Sequence, residues 1–498
     1  MKSATKPVLV LVSVLLVLAV LAPAADSRDG ECFTVLVGKK ASADGSVMVA
    51  HNEDDRGDIV VNLRKILARD GAGSRRVGLG RGAVYETDGK TAGFLWIEAT
   101  TQEFADSFIN DHGVLITSDS CPSRVSEEDY SDGGIGWMLR RLVAEKAASA
   151  REAVRLAGEL IERYGYRASG RTYSIADKNE AWMLAALRGR RWVAQRVPDD
   201  EVAVIPNHFT IRQVDLGDPD RFMGSPDIAE YAAKNGWHDA AKDGPFDFAK
   251  AFNRPSNREP AADGNALRHW RGLCLITGRT WELGFDYLFS VKPAKKMTPD
   301  TLRAILRDHY EGTPHDATDG YKTGTPNKTK FRTICTASTI NAFVVSLGSK
   351  RPEPLSVSIW LAMGKPDTTV FLPLYYGAKV PAGAGAGPDA ADDEALYRNH
   401  FDDAEIKAAK AGILNTQILE LEKAAEADYG PMHQRLVKDL FPEEIAVAKA
   451  RPKFEKEFAA LYGKDKAKAQ KKLDEYVAAA FGRLAILTAK ILVSLPAK

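Results

Sequence analysis

Cysteine is scarce: four residues in 498, at Cys32, Cys121, Cys274 and Cys335. They are too few for a disulfide scaffold, and their wide spacing leaves no CxxC pair for zinc or a redox couple. An excess of charge of either sign is missing too. Lys and Arg total 68 against 67 Asp and Glu, a formal net charge of +1, so neither nucleic acid nor an anionic membrane surface is implied as a partner. No glycine-rich phosphate loop follows a strand-like run, which leaves a nucleotide fold without support. No internal repeat and no metal-ligand cluster is visible, so no cofactor and no metal are expected. After the first residues, no stretch reads as long and apolar enough to span a bilayer. What remains is the balance of a globular protein, 45% hydrophobic and 27% charged, in a chain long enough for one large domain or two to three ordinary ones.

The chain opens with a targeting pattern. Lys2 and Lys6 precede an apolar run from Val8 to Leu21, and Ala22-Pro23-Ala24 supplies a small-x-small cleavage signal. Residues 1–24 are expected to be a signal peptide, cut after Ala24 or Ala25, and 25–31 a short propeptide. The charged Asp29-Gly30-Glu31 argues against lipid attachment at Cys32. The expected location is a periplasm or the cell exterior, with no integral membrane span once the signal is gone.

Phe33 to Val37 and Val47 to His51 are β-branched runs on either side of Ala43-Asp44-Gly45-Ser46, a hairpin turn signal. Phe94 to Ala99 and Val114 to Thr117 read as further strands, with Asn110-Asp111-His112-Gly113 as the turn before the second. The period then changes. Trp137, Leu139, Leu142 and Val143 fall at helical spacing within 136–148. Ser149-Ala150-Arg151-Glu152 is a capping box that starts a second helix through Ile161. Strands resume at 172–176, 181–187, 192–197 and 202–205. Strands, a helix pair and strands again predict layered α+β rather than a parallel βαβ sheet. Residues 213–330 read as loop-rich, and 333–347 and 355–374 as strand-like. Pro381 to Asp393 is rich in Ala, Gly, Pro and Asp. The predicted organisation is a catalytic domain over 32–380, a linker or loop over 381–394 and a helical region over 395–498. Packing on the catalytic domain and a homo-oligomer contact are both open roles for that last region.

Cys32 carries the chemistry. Were the chain cut between Glu31 and Cys32, one residue would hold both a thiol and a free α-amine. A thiol attacks as thiolate and needs a base nearby. An α-amine with a pKa of about 7.7–8.0 is such a base near neutral pH.

Several segments then carry a resemblance. Cys32-x-Thr34, Val37-Gly38-Lys39, Ala41-Ser42, Asp44-Gly45-Ser46 and Ala50-x-Asn52-x-Asp54 resemble the opening of the PepD-type cysteine dipeptidases. These belong to the N-terminal-nucleophile (Ntn) hydrolases, together with penicillin V acylases and bile salt hydrolases. Asn110 to Val114, Tyr173 to Trp182, Trp192 to Asp200, Asn207-His208-Phe209, Arg332-Thr333-Ile334-Cys335 and Pro373 to Tyr376 fit the same pattern, so the likeness spans roughly Cys32 to Gly377. It implies a four-layer αββα sandwich with the nucleophile at the start of a central strand, and short peptides as substrates.

The resemblance also implies roles. Cys32 is the nucleophile and, through its own amine, the base. Asp54 matches an aspartate that contacts that amine. Asn207 matches an asparagine that stabilises the tetrahedral intermediate. Ser120 is a candidate second oxyanion donor. Arg332 matches a late arginine near the nucleophile, with Arg271 as a competitor. His51 departs from the family, which commonly has arginine there; it either orients a thiolate or substrate carboxylate, or is simply packed. Two other functions fit the sequence. One is an acylase-type Ntn amidohydrolase acting on N-acyl amino acids, penicillin V or bile-salt-like amides. The other is an unprocessed, non-catalytic secreted binding protein.

Overall fold

The computed structural model describes residues 32–56, 59–71, 73–256, 258–316, 318–322, 325–327, 332–348, 350–385, 400–401 and 413–495. The expected signal peptide and propeptide lie outside these residues. So do residues 386–394 of the linker and most of 395–412.

Period-two alternation in the strands builds two sheets. The first runs, in spatial order, Ser290–Val291 (β16), Val202–Ile205 (β14), Phe33–Val37 (β1), Val47–Asp54 (β2), Thr339–Leu347 (β17), Val357–Ala362 (β18) and Leu372–Tyr375 (β19). The second runs Phe222–Gly224 (β15), Trp192–Arg196 (β13), Ala181–Gly189 (β12), Tyr166–Ala176 (β11), Leu115–Ser120 (β10), Ser107–Asn110 (β9), Phe94–Ala99 (β8) and Val61–Ile66 (β3). Arg69–Asp70 (β4) pairs with Lys90–Thr91 (β7), and Arg75–Gly78 (β5) with Val84–Thr87 (β6), as separate ladders. The pairings within both sheets are antiparallel.

Three apolar cores define the layers. Leu36, Val47, Val49 and Phe343 of the first sheet meet Ile97, Leu115 and Met183 of the second, so the sheets pack face to face. The other face of the second sheet, with Trp96, Ile116 and Trp182, takes Met138–Lys146 (α1) and Ala150–Tyr164 (α2). The other face of the first, with Phe33, Met48 and Val344, takes Gly264–Thr277 (α6) and Pro299–Leu306 (α7). Short helices Ile228–Lys234 (α3), Ala240–Asp243 (α4) and Phe248–Phe252 (α5) occupy the segment between. The result is an αββα sandwich, as the resemblance implies. The C-terminal helices Leu414–Ala427 (α8), Tyr429–Asp439 (α9), Phe441–Tyr462 (α10) and Lys466–Val493 (α11) add Ile418, Phe458, Val477 and Phe481 to the inter-sheet core cluster.

Local signals explain the boundaries. Ser149 Oγ accepts from the Glu152 backbone N–H at 3.2 Å, and the Glu152 carboxylate accepts from Ala148 N–H at 2.9 Å, a capping box displaced by one residue. Asn110 Oδ1 accepts from the N–H groups of His112 and Val114, which closes the turn at Gly113.

Four readings need correction. The 213–330 segment is not simply loop-rich, because α6 and α7 lie within it. Strand β17 begins at Thr339, not at 333; Arg332 to Ser338 form the approach to it. The 355–374 run is two strands, β18 and β19, separated by a turn over 363–371. Finally, α11 is long and apolar enough to cross a membrane by length and composition. Its apolar face, including Leu473, Val477, Phe481 and Leu484, is buried against the sandwich, which accounts for that composition.

Candidate active site

Strand alternation decides what Cys32 meets. Phe33, Val35 and Val37 point toward α6 and α7, while Leu36 points between the sheets. Cys32 and Thr34 share the face of Leu36. In β2 the same rule sends His51 and Glu53 between the sheets and Asn52 and Asp54 to the helix side. The register Thr34↔His51 brings these faces together.

Cys32 is fully buried, and its Sγ donates to Glu53 Oε1 at 2.9 Å. Glu53 Oε2 in turn contacts His51 Nε2 at 3.0 Å, and His51 Nδ1 lies 2.7 Å from Thr34 Oγ1. Thr34 has one hydroxyl proton and donates it to Asp119 Oδ2 at 2.7 Å. The Thr34–His51 contact is therefore an N–H donated by the ring. Glu53 accepts at the other nitrogen, so the geometry calls for a ring carrying both protons. Burial opposes that charge, but the Glu53 hydrogen bond and the charges of Glu53, Asp119 and Asp54 outweigh it and raise the His51 pKa. His51 thus favours its charged form, at the position where the resembled family commonly has arginine.

Burial raises the Cys32 thiol well above its ordinary pKa; Glu53, Asp119 and Asp54 add to this, and Arg171 opposes it. Burial pushes Asp119 up to about 6 against the pull of His51 and the Thr34 hydrogen bond. It pushes Asp54 up to about 7 against Arg268 and Thr339. As folded, then, the sulfur is a neutral thiol in contact with a carboxyl. It needs an added positive charge or base to ionise.

The remaining candidates form a second group at the same strand ends. Continuing the Thr34↔Ile205 register by two residues sets Asn207 opposite Cys32. Asn207 has φ of 75°, in the left-handed region where asparagine is tolerated better than most residues. Its Oδ1 accepts from Arg268 Nη1 at 2.7 Å and Arg332 Nη2 at 3.1 Å. Two guanidinium donors fix the amide orientation, so Nδ2 is the donor end, and it bonds the Ser120 carbonyl at 3.1 Å. Asp54 Oδ2 accepts from Arg268 Nη2 at 3.0 Å, and Oδ1 from Thr339 Oγ1 at 2.6 Å. The Asp54 carbonyl oxygen lies 4.0 Å from Cys32 Sγ.

Cys32, His51, Asp54, Asn207 and Arg332 are therefore brought together. Ser120 joins them through its backbone carbonyl. Arg271 does not: it forms a bidentate pair with Asp308 through Nε and Nη2, at 2.8 and 2.6 Å. Arg268, one helical turn earlier in α6, takes the place by the nucleophile. Gly272 allows this, because a Cβ there would lie 3.3 Å from the Phe33 ring and 3.4 Å from Val204. Glu53, Asp119, Arg268 and Thr339 were not singled out from the sequence. The alternation Val47, Val49, His51, Glu53 was the one signal that could have found Glu53.

Donor atoms of Cys32, His51 and Glu53 lie within 4.8 Å of one another, close enough to share a metal ion. A cation there would take the sulfur lone pair that nucleophilic attack requires. A second such group, His309, Cys335 and Asp367, lies apart from the site.

Beside Asn207 opens a cavity of about 280 Å³. Its wall includes Arg124, His208, Lys250, Arg254, Asp263 and Asn265. Asn265 Nδ2 donates to the Asn207 carbonyl at 3.3 Å, which ties this wall to the site.

Among known proteins, a probable dipeptidase of Latilactobacillus sakei is 26% identical over 365 residues, covering 70% of this chain and 74% of its own length. Dipeptidase A of Lactobacillus helveticus is 28% identical over 387 residues, covering 70% and 76%. Among solved structures, penicillin V acylase from Agrobacterium tumefaciens superposes with a TM-score of 0.37 at 13% identity, covering 69% of this chain and 86% of that one. The pattern of peptidase family C69 matches residues 31–76 and 127–402. A match across most of the catalytic sandwich, including Cys32, Asp54, Asn207 and Arg332, means that this chain belongs to peptidase family C69 and is a hydrolase of peptide bonds.

Proposed function

We propose that the protein is an exported dipeptidase whose nucleophile, Cys32, is armed by removal of the residues before it. The observation that carries this reading is the setting of Sγ. The thiol is buried against Glu53, and the nearby acids hold it neutral. A cut before Cys32 would add an α-amine to the same residue. That amine takes the thiol proton, and the thiolate attacks the scissile carbonyl. The Asn207 amide and backbone N–H groups face the oxyanion. The ammonium returns its proton to the leaving amine, and water then hydrolyses the thioester by the same route. Arg268 and Arg332 supply fixed positive charge around the reacting centre, and the neighbouring acids raise the pKa of His51.

The substrate class rests on the names of the relatives and on the cavity beside Asn207. A dipeptide carries a carboxylate and an ammonium within a few bonds of each other. The cavity is lined by Arg124, Lys250 and Arg254 together with Asp263 and Asp286, so its wall offers charge of both signs to the two termini. At about 280 Å³ it suits a short peptide better than a large apolar acyl group. The signal-like start of the chain supports export to a periplasm or the exterior.

Mass spectrometry of the secreted, active protein tests the arming step. The expected N-terminus is Cys32. Purified protein should hydrolyse a dipeptide panel in preference to penicillin V, and Cys32→Ala should abolish turnover. An active molecule whose Cys32 nitrogen is still in a peptide bond would sink the mechanism. Preference for penicillin V would replace the substrate assignment with the acylase one.

A further inference from the structure

A cavity of about 630 Å³ opens away from the active site. It lies among α7, α9 and α10, and Asp367, Glu311, Tyr321 and His433 line part of it. Behind this wall, donor atoms of His309, Cys335 and Asp367 converge within 4.8 Å of one another. The three come from separate segments: the turn after α7, the approach to β17 and the turn before β19. His309 and Cys335 are fully buried, and Asp367 is 5% exposed.

The hydrogen bonds around this trio are those of ligands held ready. Asp367 Oδ2 already accepts from Asn327 Nδ2 at 2.8 Å and Tyr429 OH at 3.0 Å. Its other oxygen, Oδ1, is buried without a partner, which is costly for a carboxylate. His309 Nε2 lies 3.3 Å from Asn327 Oδ1 and 3.6 Å from Asp367 Oδ2, so a cation bound there would displace the Asn327 contact, and Nδ1 faces Glu311 Oε1 at 3.7 Å and Tyr321 OH at 3.3 Å. The His309 backbone N–H anchors the same carboxylate, donating to Glu311 Oε2 at 2.7 Å. A carboxylate on the far nitrogen of a histidine is the usual support of a metal-ligating imidazole. Burial and the Asp367 charge raise the Cys335 thiol well above its ordinary pKa, against a hydrogen bond from the Asp367 backbone N–H, so the sulfur ligates as thiolate only when a cation takes the place of its proton. Across the cavity His433 stacks on Tyr321, ring centroids 4.2 Å apart, with its Nδ1 buried and unpartnered.

We propose that His309, Cys335 and Asp367 form a structural site for a divalent cation of the zinc class. The cysteine-histidine-carboxylate donor set is borderline-soft, which suits zinc over magnesium or calcium. A tetrahedral zinc with bonds of about 2.0–2.3 Å sets its ligands roughly 3.3–3.8 Å apart, so each pair of the trio closes by at most about 1.5 Å. The unpaired Asp367 oxygen gains its partner, and the fourth position faces the cavity and His433. The ion would tie the turn after α7, the lead into β17 and the turn before β19 into one unit. Thr339 in β17 bonds Asp54, so that unit backs the active site.

The full-length protein, stripped with a chelator and reloaded, tests this. One zinc ion per chain should survive gel filtration and raise Tm, and Asp367→Asn should lose the rise. Loading with cobalt should give a thiolate-to-metal charge-transfer band. The band should persist in Cys32→Ala and vanish in Cys335→Ser. Glu311→Gln should weaken zinc binding about 10- to 100-fold, as loss of a carboxylate supporting a ligand histidine does. Should Cys335→Ser fail to fold, a Cys32→Ala, Cys121→Ala, Cys274→Ala chain must still show the band, since Cys335 is then its sole thiol. No retained zinc, or a band that follows Cys32 rather than Cys335, overturns the proposal.

Discussion

Asn207 shows how a single side chain is aimed by charge. Arg268 and Arg332 both donate to its Oδ1, which leaves Nδ2 as the end directed at the strand termini. Its φ of 75° favours glycine as the replacement that removes the amide without backbone strain. Asn207→Gly is expected to lower kcat by about 10²–10³-fold, the usual effect of losing one oxyanion donor. Steady-state kinetics should show the loss in kcat rather than KM. A variant with unchanged kcat would remove Asn207 from the mechanism. Asp119 gives a stability prediction. Its folded pKa of about 6 stands above the unfolded value of about 3.9. A raised acid contributes stability that is complete below the unfolded pKa and lost as pH rises through the folded one. Relative to Asp119→Asn, the native protein should therefore lose up to about 3 kcal/mol between about pH 4 and pH 6. Urea denaturation across that window measures it, and parallel curves for the two proteins would refute it.

Helices and strands place these side chains by close approach, and glycines mark where. In α2 a Cβ at Gly158 would fall 2.0 Å from the Trp192 ring of β13. The ring cannot swing aside freely, because its Nε1 donates to Glu162 at 2.9 Å. Gly158→Ala should destabilise by about 1–3 kcal/mol through overpacking. Gly482 in α11 meets nothing within 4 Å, so Gly482→Ala should instead stabilise by up to about 1 kcal/mol. Thermal unfolding of the pair should give Tm shifts of opposite sign; shifts of the same sign would contradict the packing described. Elements also divide by how legible they were. The strand Phe33–Val37 was read correctly to the residue, because its apolar run ends in a clear turn signal. Helix α6 was not read. Its inward face carries Arg268 and His269 among Leu267, Trp270 and Leu273, so the apolar stripe is broken where the helix faces the site. The same holds for the end of β2. Asn52-Glu53-Asp54 looks like a turn, yet all three residues are buried strand, each bonded to a partner remote in sequence.

At the scale of the whole molecule, the C-terminal helices are part of the catalytic body. Glu444 of α10 bonds Arg307 at the end of α7 and the Phe371 backbone N–H. Glu422 of α8 holds the buried Lys365 at 2.9 Å. Asn415 joins Val61 N–H to the Met363 carbonyl, and so spans both sheets. Removing 413–498 would expose Leu374 and Tyr375 and strip both carboxylates, Glu422 and Glu426, from Lys365. The shortened chain is expected to elute as aggregate in size-exclusion chromatography and to lose its cooperative thermal transition. A monomer with native Tm would show the helices to be an appendage instead.

The sequence alone identified the family, the α1–α2 pair and the strands on either side of it, though not β3 to β7 or β9, and it singled out Cys32 as the candidate nucleophile, because these rest on local pattern: alternation, caps, turn residues and short motifs. It also named Asp54, Asn207 and Arg332, through a motif order that needs no coordinates. Only the tertiary structure decided that Cys32 bonds Glu53, that Arg268 rather than Arg271 reaches Asn207, and that the acids around His51 raise its pKa. Those facts depend on contacts between residues far apart in the chain, such as Cys32 with Glu53 and Asp54 with Arg268. A carboxylate or imidazole takes its charge state from the groups packed around it, and no local pattern records which groups those are.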